Sequence, residues 1–365
     1  MRHLTSTRIS LSNSYLLILL AVQAVVVWLL YFVVKGNLGR TLSPVQPDSL
    51  LYICKGLNGA KLNPNEVSEI LQKLDLYFRI STSSELQCGP IPGSFSGRVV
   101  LSFLIGIFAL TGVWWAVLMP TILISFLCVY IWWLLTKEWV NSLGVSGILL
   151  GVLPWTSPHL GFYVSLVLTE GPLILTILLL LLQIRKAQTN SWYWLTVLIP
   201  IFAGLLVRQS WPIFAIILAA ALTPLVTSIF KRIVVFSLGF IAIATLSTLT
   251  PQLSETQIDF LNVSGGIYGL FLGLRHDFLH IFEFIDLPAL GLMFLLIFKG
   301  RRKLSFIQKT TVIGLILFSG FTCYAVYLGD GSYGQNWRYF APSFLVLLAF
   351  YMAPQKSDSR KLSSK

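Results

Sequence analysis

Residues 98–135 read RVVLSFLIGIFALTGVWWAVLMPTILISFLCVYIWWLL, thirty-eight residues whose single charge is Arg98. A membrane crossing takes about 20 apolar residues, so this run is too long for one crossing and nearly long enough for two. The basic residues decide between them. Lys and Arg gather in short clusters: Arg2 with Arg8, Arg185-Lys186, Lys231-Arg232, Lys299 to Lys303, and Lys356 to Lys365. Cytoplasmic loops carry such an excess of basic residues. Two crossings within 98–135 would move Arg185-Lys186 to the outer side and invert every later cluster. One crossing keeps them all inside. The run therefore reads as a span over 114–135, preceded by an interfacial or re-entrant helix over 98–112, with Lys137 in the cytoplasm.

The same length rule parses the rest of the chain. Spans are expected at 15–34, 144–159, 166–184, 191–207, 210–229, 233–250, 285–299, 309–327 and 338–354. The expected fold is all-α: a polytopic transmembrane helical bundle of about ten spans with a long extracytoplasmic first loop, 35–97. Residues 1–365 form a single membrane domain, with a second extracytoplasmic loop at 251–286 and both termini cytoplasmic. Composition agrees. Charged residues are 11% of the chain and hydrophobic residues 56%, with a mean hydropathy of +0.80. Soluble proteins carry about 25% charged residues, so lipid must solvate much of this surface. The net charge of +12 is spread over loop clusters and forms no basic stripe on a base-reading fold, so nucleic acid is not expected as a partner. No small-x-small cleavage site follows the first span, which reads as an uncleaved signal anchor in a plasma (inner) membrane.

Of the four cysteines, Cys128 and Cys323 lie in apolar runs and read as packing residues. Cys54 and Cys88 share the first loop. They either pair, if that loop faces an oxidising compartment, or stay as two free thiols. No spacing of His and Cys suggests a metal centre, so no cofactor is expected, and the sequence leaves open whether a divalent metal is required.

Sidedness collects a set of polar residues on the outer face. Pro47 favours a helix start, which puts Asp48 in a first turn and Tyr52 one turn later on the same face. The alternative reading is an acidic cap. Arg98 heads the interfacial helix, as a phosphate ligand or as a snorkelling anchor. Glu170 follows the corner Pro154-Trp155-Thr156-Ser157-Pro158-His159. A carboxylate at that depth is expensive and should face protein or a water-filled cavity, unless it only caps the helix. Arg208 stands between two apolar runs with no acidic neighbour, so it needs an anion from elsewhere. Arg338 and Tyr339 open the last span after a Gly-rich turn, as forked phosphate ligands or as belt residues. His159 reads more simply as an interfacial histidine. In 251–286, Arg275-His276-Asp277 with His280 suits an amphipathic interfacial helix better than a metal site, although His276 and His280 have helical chelate spacing.

Taken in order, these pieces resemble the GT-C superfamily of membrane glycosyltransferases, which use polyprenyl-phosphate-linked sugars as donors. The resemblance is carried by Asp48, Tyr52 and Lys55-Gly56-Leu57 with Gly59, by the Arg98-led apolar segment, and by the Pro154 to Gly171 corner with Glu170. The hinge Gly204, Arg208 and Pro212 and the opening Arg338-Tyr339-Phe340-Ala341-Pro342 complete it. The sequence departs from the family in having Ser49 where many relatives carry a second acid, and in having no soluble C-terminal domain. The resemblance implies a donor of polyprenyl-phosphate sugar and a glycan, lipid or protein acceptor in the cell envelope. It implies Asp48 as the catalytic base and Arg208, Arg338, Tyr339, Glu170, Arg98 and Tyr52 as substrate or phosphate ligands. His159, His276 and Asp277 are further candidates. The rival readings are a secondary transporter, which predicts paired half-repeats that the sequence lacks, and an envelope polysaccharide polymerase or ligase.

Overall fold

Long apolar stretches with few charges satisfy their backbone groups internally only as helices. The computed structural model describes residues 2–33, 44–45, 47–80, 88–89, 98–156, 161, 164–165, 166–189, 192–207, 213–214 and 216–218. Beyond these it describes 234, 237–238, 314–315, 345–346 and 349. Among the described residues all regular structure is helical. Two stretches, Leu11–Val33 and Trp114–Leu143, are long and apolar enough to cross a membrane. At about 1.5 Å per residue they rise roughly 35 and 45 Å, against a hydrocarbon core of about 30 Å. The spans expected from residue 219 onward, and the loop 251–286, lie outside the described residues, apart from those few scattered positions.

Helix α1 (Arg2–Trp28) continues through a π-helical turn, Leu29–Val33. It starts at Arg2 where the sequence suggested a span from 15. The polar residues ahead of Ser12 are compatible with helix, and only the apolar part is bounded by the length of a crossing. The run 98–135 is not one continuous helix. Helix α4 (Val100–Ala109) stops before Gly112, whose φ of +71° carries the chain out of helix. A 3-10 turn, Trp114–Leu118, then leads into α5 (Met119–Leu143). At ten residues α4 is only about 15 Å long. Helix α5 passes beyond residue 135, so Lys137 is on helix and not in a loop. After it come α6 (Val145–Thr156), α7 (Glu170–Thr189), α8 (Tyr193–Thr196) and α9 (Leu198–Val207).

Polar side chains set the relative direction of these helices. Trp133 Nε1 donates to Ser12 O (3.0 Å), and Tyr15 Oη and Thr136 Oγ1 share a 2.9 Å hydrogen bond. At the far end of α1, Tyr31 Oη donates to Ser165 O (2.8 Å) and Gln23 Nε2 to Ser165 Oγ (2.7 Å). The start of α1 thus meets the end of α5, and the two run antiparallel. Helix α7 runs parallel to α5: Cys128 Sγ lies 3.7 Å from Gly171 O, while Arg185 bonds Leu135 O (2.9 Å) and pairs with Glu138. One end of the bundle therefore carries Lys137, Arg185 and Lys186, with Lys137 over Trp133 and Lys186 over Tyr193. The opposite end carries Tyr31, Ser165 and Glu170. Many outward side chains are large and apolar, among them Leu17, Phe103, Leu149 and Ile199.

The first loop is folded on the end away from Lys137 and Arg185. It contains α2 (Pro47–Gly59) and α3 (Pro64–Phe78). Asn63 and Glu66 form a reciprocal capping box: Asn63 Oδ1 accepts from Glu66 N (2.9 Å) and Glu66 Oε2 from Asn63 N (3.0 Å). The buried face of α3 is Ile70, Leu71, Leu74 and Phe78. Asn63→Ala leaves the Glu66 amide without its cap and is expected to cost about 1 kcal/mol. Faster hydrogen exchange confined to 64–78 would show it, and exchange equal to wild type would dispense with the cap. Cys54 and Cys88, whose pairing the spacing left open, form a disulfide with Cα atoms 5.5 Å apart. Closing a loop across a separation of 34 residues removes about 4 kcal/mol of chain entropy from the unfolded state.

Candidate functional site

Pro47 starts α2 with its fixed φ and no amide to satisfy. Asp48 therefore falls in the first turn, exposed, where the helix dipole favours a carboxylate. Tyr52 follows one turn later and is 2% exposed. Its hydroxyl accepts a 2.8 Å hydrogen bond from Arg98 Nη1, across a sequence gap of 46 residues. Lys55 sits three residues beyond Tyr52 on the same helix, and its Nζ donates to Arg98 O at 3.5 Å. Burial pushes the Lys55 ammonium below its ordinary pKa. Two cations and a phenol thus occupy one patch, and the Asp48 carboxylate stands one turn earlier on α2.

Helix packing fixes this patch. Helix α2 crosses α4 at two glycines. A Cβ on Gly56 would lie 2.7 Å from Ser102 O, and one on Gly106 would lie 2.8 Å from Gly56 O. Only hydrogen at both positions lets the backbones approach this closely. Arg98, at the head of α4, is thereby set opposite Tyr52.

Two backbone hydrogen bonds bring other motifs to the same end. Val99 N donates to Leu206 O (3.1 Å), so the close of α9, two residues before Arg208, abuts the residue next to Arg98. Val167 N donates to Pro44 O (3.0 Å), which ties the bend ahead of Glu170 to the segment leading into Asp48. Glu170 itself opens α7 and is 3% exposed. Of the residues read from sequence, Asp48, Tyr52, Arg98 and Glu170 are described. Tyr52 and Arg98 touch, Asp48 is exposed one turn before Tyr52 on α2, and the bend ahead of Glu170 is bonded to Pro44 ahead of that helix. Arg208, Arg338, Tyr339, His159, His276 and Asp277 lie outside the described residues. Among the described residues no three His, Cys, Asp or Glu side chains cluster as metal ligands would.

Lys55 was quoted in the first motif from sequence but was assigned no role in the site. Its spacing from Tyr52 put it on the right helix face, but its role follows only from the docking of Arg98 there. The hydroxyl of Tyr52 accepts a charge-assisted hydrogen bond from Arg98, an interaction worth about 1.5–3 kcal/mol. Tyr52→Phe should lower the thermal unfolding midpoint in detergent accordingly. An unchanged midpoint would mean that Arg98 finds an equal partner elsewhere. Comparison of the chain with known protein families, characterised proteins and solved structures returned no match.

Proposed function

We propose that this protein is an integral membrane glycosyltransferase that moves a sugar from a polyprenyl-phosphate donor to a hydroxyl acceptor on the extracytoplasmic side. The observation that carries the reading is the Arg98–Tyr52 contact beside Asp48, with the approach to Arg208 bonded to the residue next to Arg98. Sequence-distant motifs of a phosphate-lipid enzyme meet at one end of the helices. The disulfide at that end suits an oxidising compartment. The basic residues with their aromatic neighbours at the opposite end suit a cytoplasmic face. The apolar outward faces suit lipid.

The reaction assigns a role to each group. The acceptor oxygen attacks the anomeric carbon while Asp48 takes its proton. The bond from that carbon to the lipid phosphate oxygen breaks, with inversion. The phosphate leaves with its negative charge, which fixed cations offset at the membrane surface. Arg98 and Lys55 supply part of that charge, and Arg208 and Arg338 are the further candidates from sequence. Glu170 orients a cation or binds sugar hydroxyls.

The test uses the purified full chain in nanodiscs with polyprenyl-phosphate sugars labelled in the sugar, and a panel of glycan, lipid and peptide acceptors. Label on an acceptor with release of the polyprenyl phosphate is the expected result. Uptake of intact solute into proteoliposomes, with no transfer under any pairing, would replace the enzyme with a transporter.

A further inference from the structure

Cys54 lies two residues after Tyr52 and one before Lys55, on the helix that holds Arg98. It is joined to Cys88, ten residues before Arg98 in sequence. The two sulfurs differ in access. Cys54 is 4% exposed, packed with α2 against the core, whereas Cys88 is partly exposed. Thiol–disulfide exchange requires a thiolate to approach one sulfur in line with the bond that breaks, so access selects which sulfur is attacked. We propose that the Cys54–Cys88 disulfide is a one-sided redox modification site that sets the hold of α2 on Arg98, opened by a dithiol carrier attacking Cys88.

The chemistry balances. A thiolate of the carrier attacks Cys88 Sγ, and the Cys54–Cys88 bond breaks. The electron pair leaves on the Cys54 sulfur, which takes a proton. The carrier is then joined to Cys88 in a mixed disulfide. Its second thiolate attacks its own bonded sulfur and releases Cys88 as a thiol. The carrier ends as a disulfide, two electrons poorer, and the protein as a dithiol. A monothiol such as glutathione forms the Cys88 adduct first, and rapid acid quenching traps it before a second glutathione or the freed Cys54 thiol resolves it.

Opening the bond acts on the site through α2. The disulfide closes a loop that begins on α2 beside Tyr52 and ends shortly before Arg98. Cutting it leaves the Tyr52–Arg98 and Lys55–Arg98 contacts, with the Gly56–Gly106 crossing, as the links between the two strands of that loop. The reduced state should hold anionic ligands less tightly. This last step rests on the proposed phosphate-lipid reading, whereas the direction of attack does not.

The experiment treats the full chain in nanodiscs with glutathione, quenches with acid and maps the adduct by mass spectrometry. A parallel sample is reduced with dithiothreitol and followed by hydrogen exchange over 47–59. Expected are an adduct on Cys88 at least tenfold over Cys54 and exchange over 47–59 raised several-fold on reduction. A Cys54→Ser/Cys88→Ser chain should show that raised exchange with or without dithiothreitol. An adduct on Cys54, or equally on both, would overturn the one-sided site. Exchange over 47–59 that ignores reduction would overturn its effect on α2. If both readouts behave as expected but no polyprenyl phosphate binds in either redox state, the glycosyltransferase reading fails and the redox site stands.

Discussion

Asp48→Asn is expected to lower sugar transfer by about 10²- to 10⁴-fold, the usual worth of a positioned general base. The substitution keeps the size of the side chain and its ability to accept a hydrogen bond. It removes only the capacity to take a proton from the acceptor hydroxyl. Asp48 is exposed in the first turn of α2, so no packing is disturbed. The loss of a favourable charge–dipole interaction there is worth about 0.3–1 kcal/mol, too little to unfold the helix. Thermal unfolding of the variant should therefore stay near wild type while turnover collapses. On the proposed reading, binding of the donor lipid phosphate should persist, because Arg98 and Lys55, proposed to hold it, are untouched. Turnover within threefold of wild type would remove Asp48 as the base, and Glu170 would be the next residue to test.

The second large effect concerns packing. Gly56→Leu is expected to undock α2 from α4 and abolish both stability of the first loop and transfer. Even the single carbon of alanine at Gly56 would lie 2.7 Å from Ser102 O and 2.8 Å from Ile105 Cγ2. The first of these is backbone and has no rotamer with which to yield. Overpacking of this kind costs about 1–3 kcal/mol for alanine-scale additions, and leucine adds three further carbons to the same gap. Gly59, three residues later on the same helix, provides the control. A Cβ there meets nothing within 4 Å. Gly59→Ala should leave the loop intact and stabilise it by up to about 1 kcal/mol, because alanine loses less backbone freedom in a helix. Thermal unfolding in detergent, read beside transfer activity, distinguishes the pair. Equal behaviour of Gly56→Ala and Gly59→Ala would mean that the close crossing does not hold the site together.

What could be read in the sequence was what depends on length and helical spacing. That the run 98–135 would be interrupted was legible in a length too great for one crossing, and the interruption falls near Gly112. The placing of Asp48 and Tyr52 on one helical face followed from Pro47 and a spacing of four. The outcome at Cys54 and Cys88 did not, because pairing depends on how α2 lies against residues 88–89, and spacing carries no such information. The start of α1 at Arg2 was missed for another reason: Ser, Thr and Arg are compatible with a helix that has left the apolar layer, so hydropathy is silent on where it begins. Lys55 stood in the first motif but received no role, because its partner is a backbone carbonyl 43 residues away, a contact that the α2–α4 crossing creates.

The hydrogen bonds of α1 bear on how the chain is made. Gln23 is fully buried, and its amide donates to Ser165, a residue 142 positions later. Tyr31 waits for the same segment, and Tyr15 for Thr136. A ribosome adding about 5–20 residues per second needs on the order of ten seconds to supply them. During that interval α1 has been synthesised with a primary amide and two phenols whose eventual partners do not yet exist. Such groups are costly in hydrocarbon. On the proposed reading of α1 as a membrane span, that helix is expected to be held at a wet or proteinaceous site until the Ser165 segment arrives, and the chain to depend on its insertase for longer than one whose first span is purely apolar.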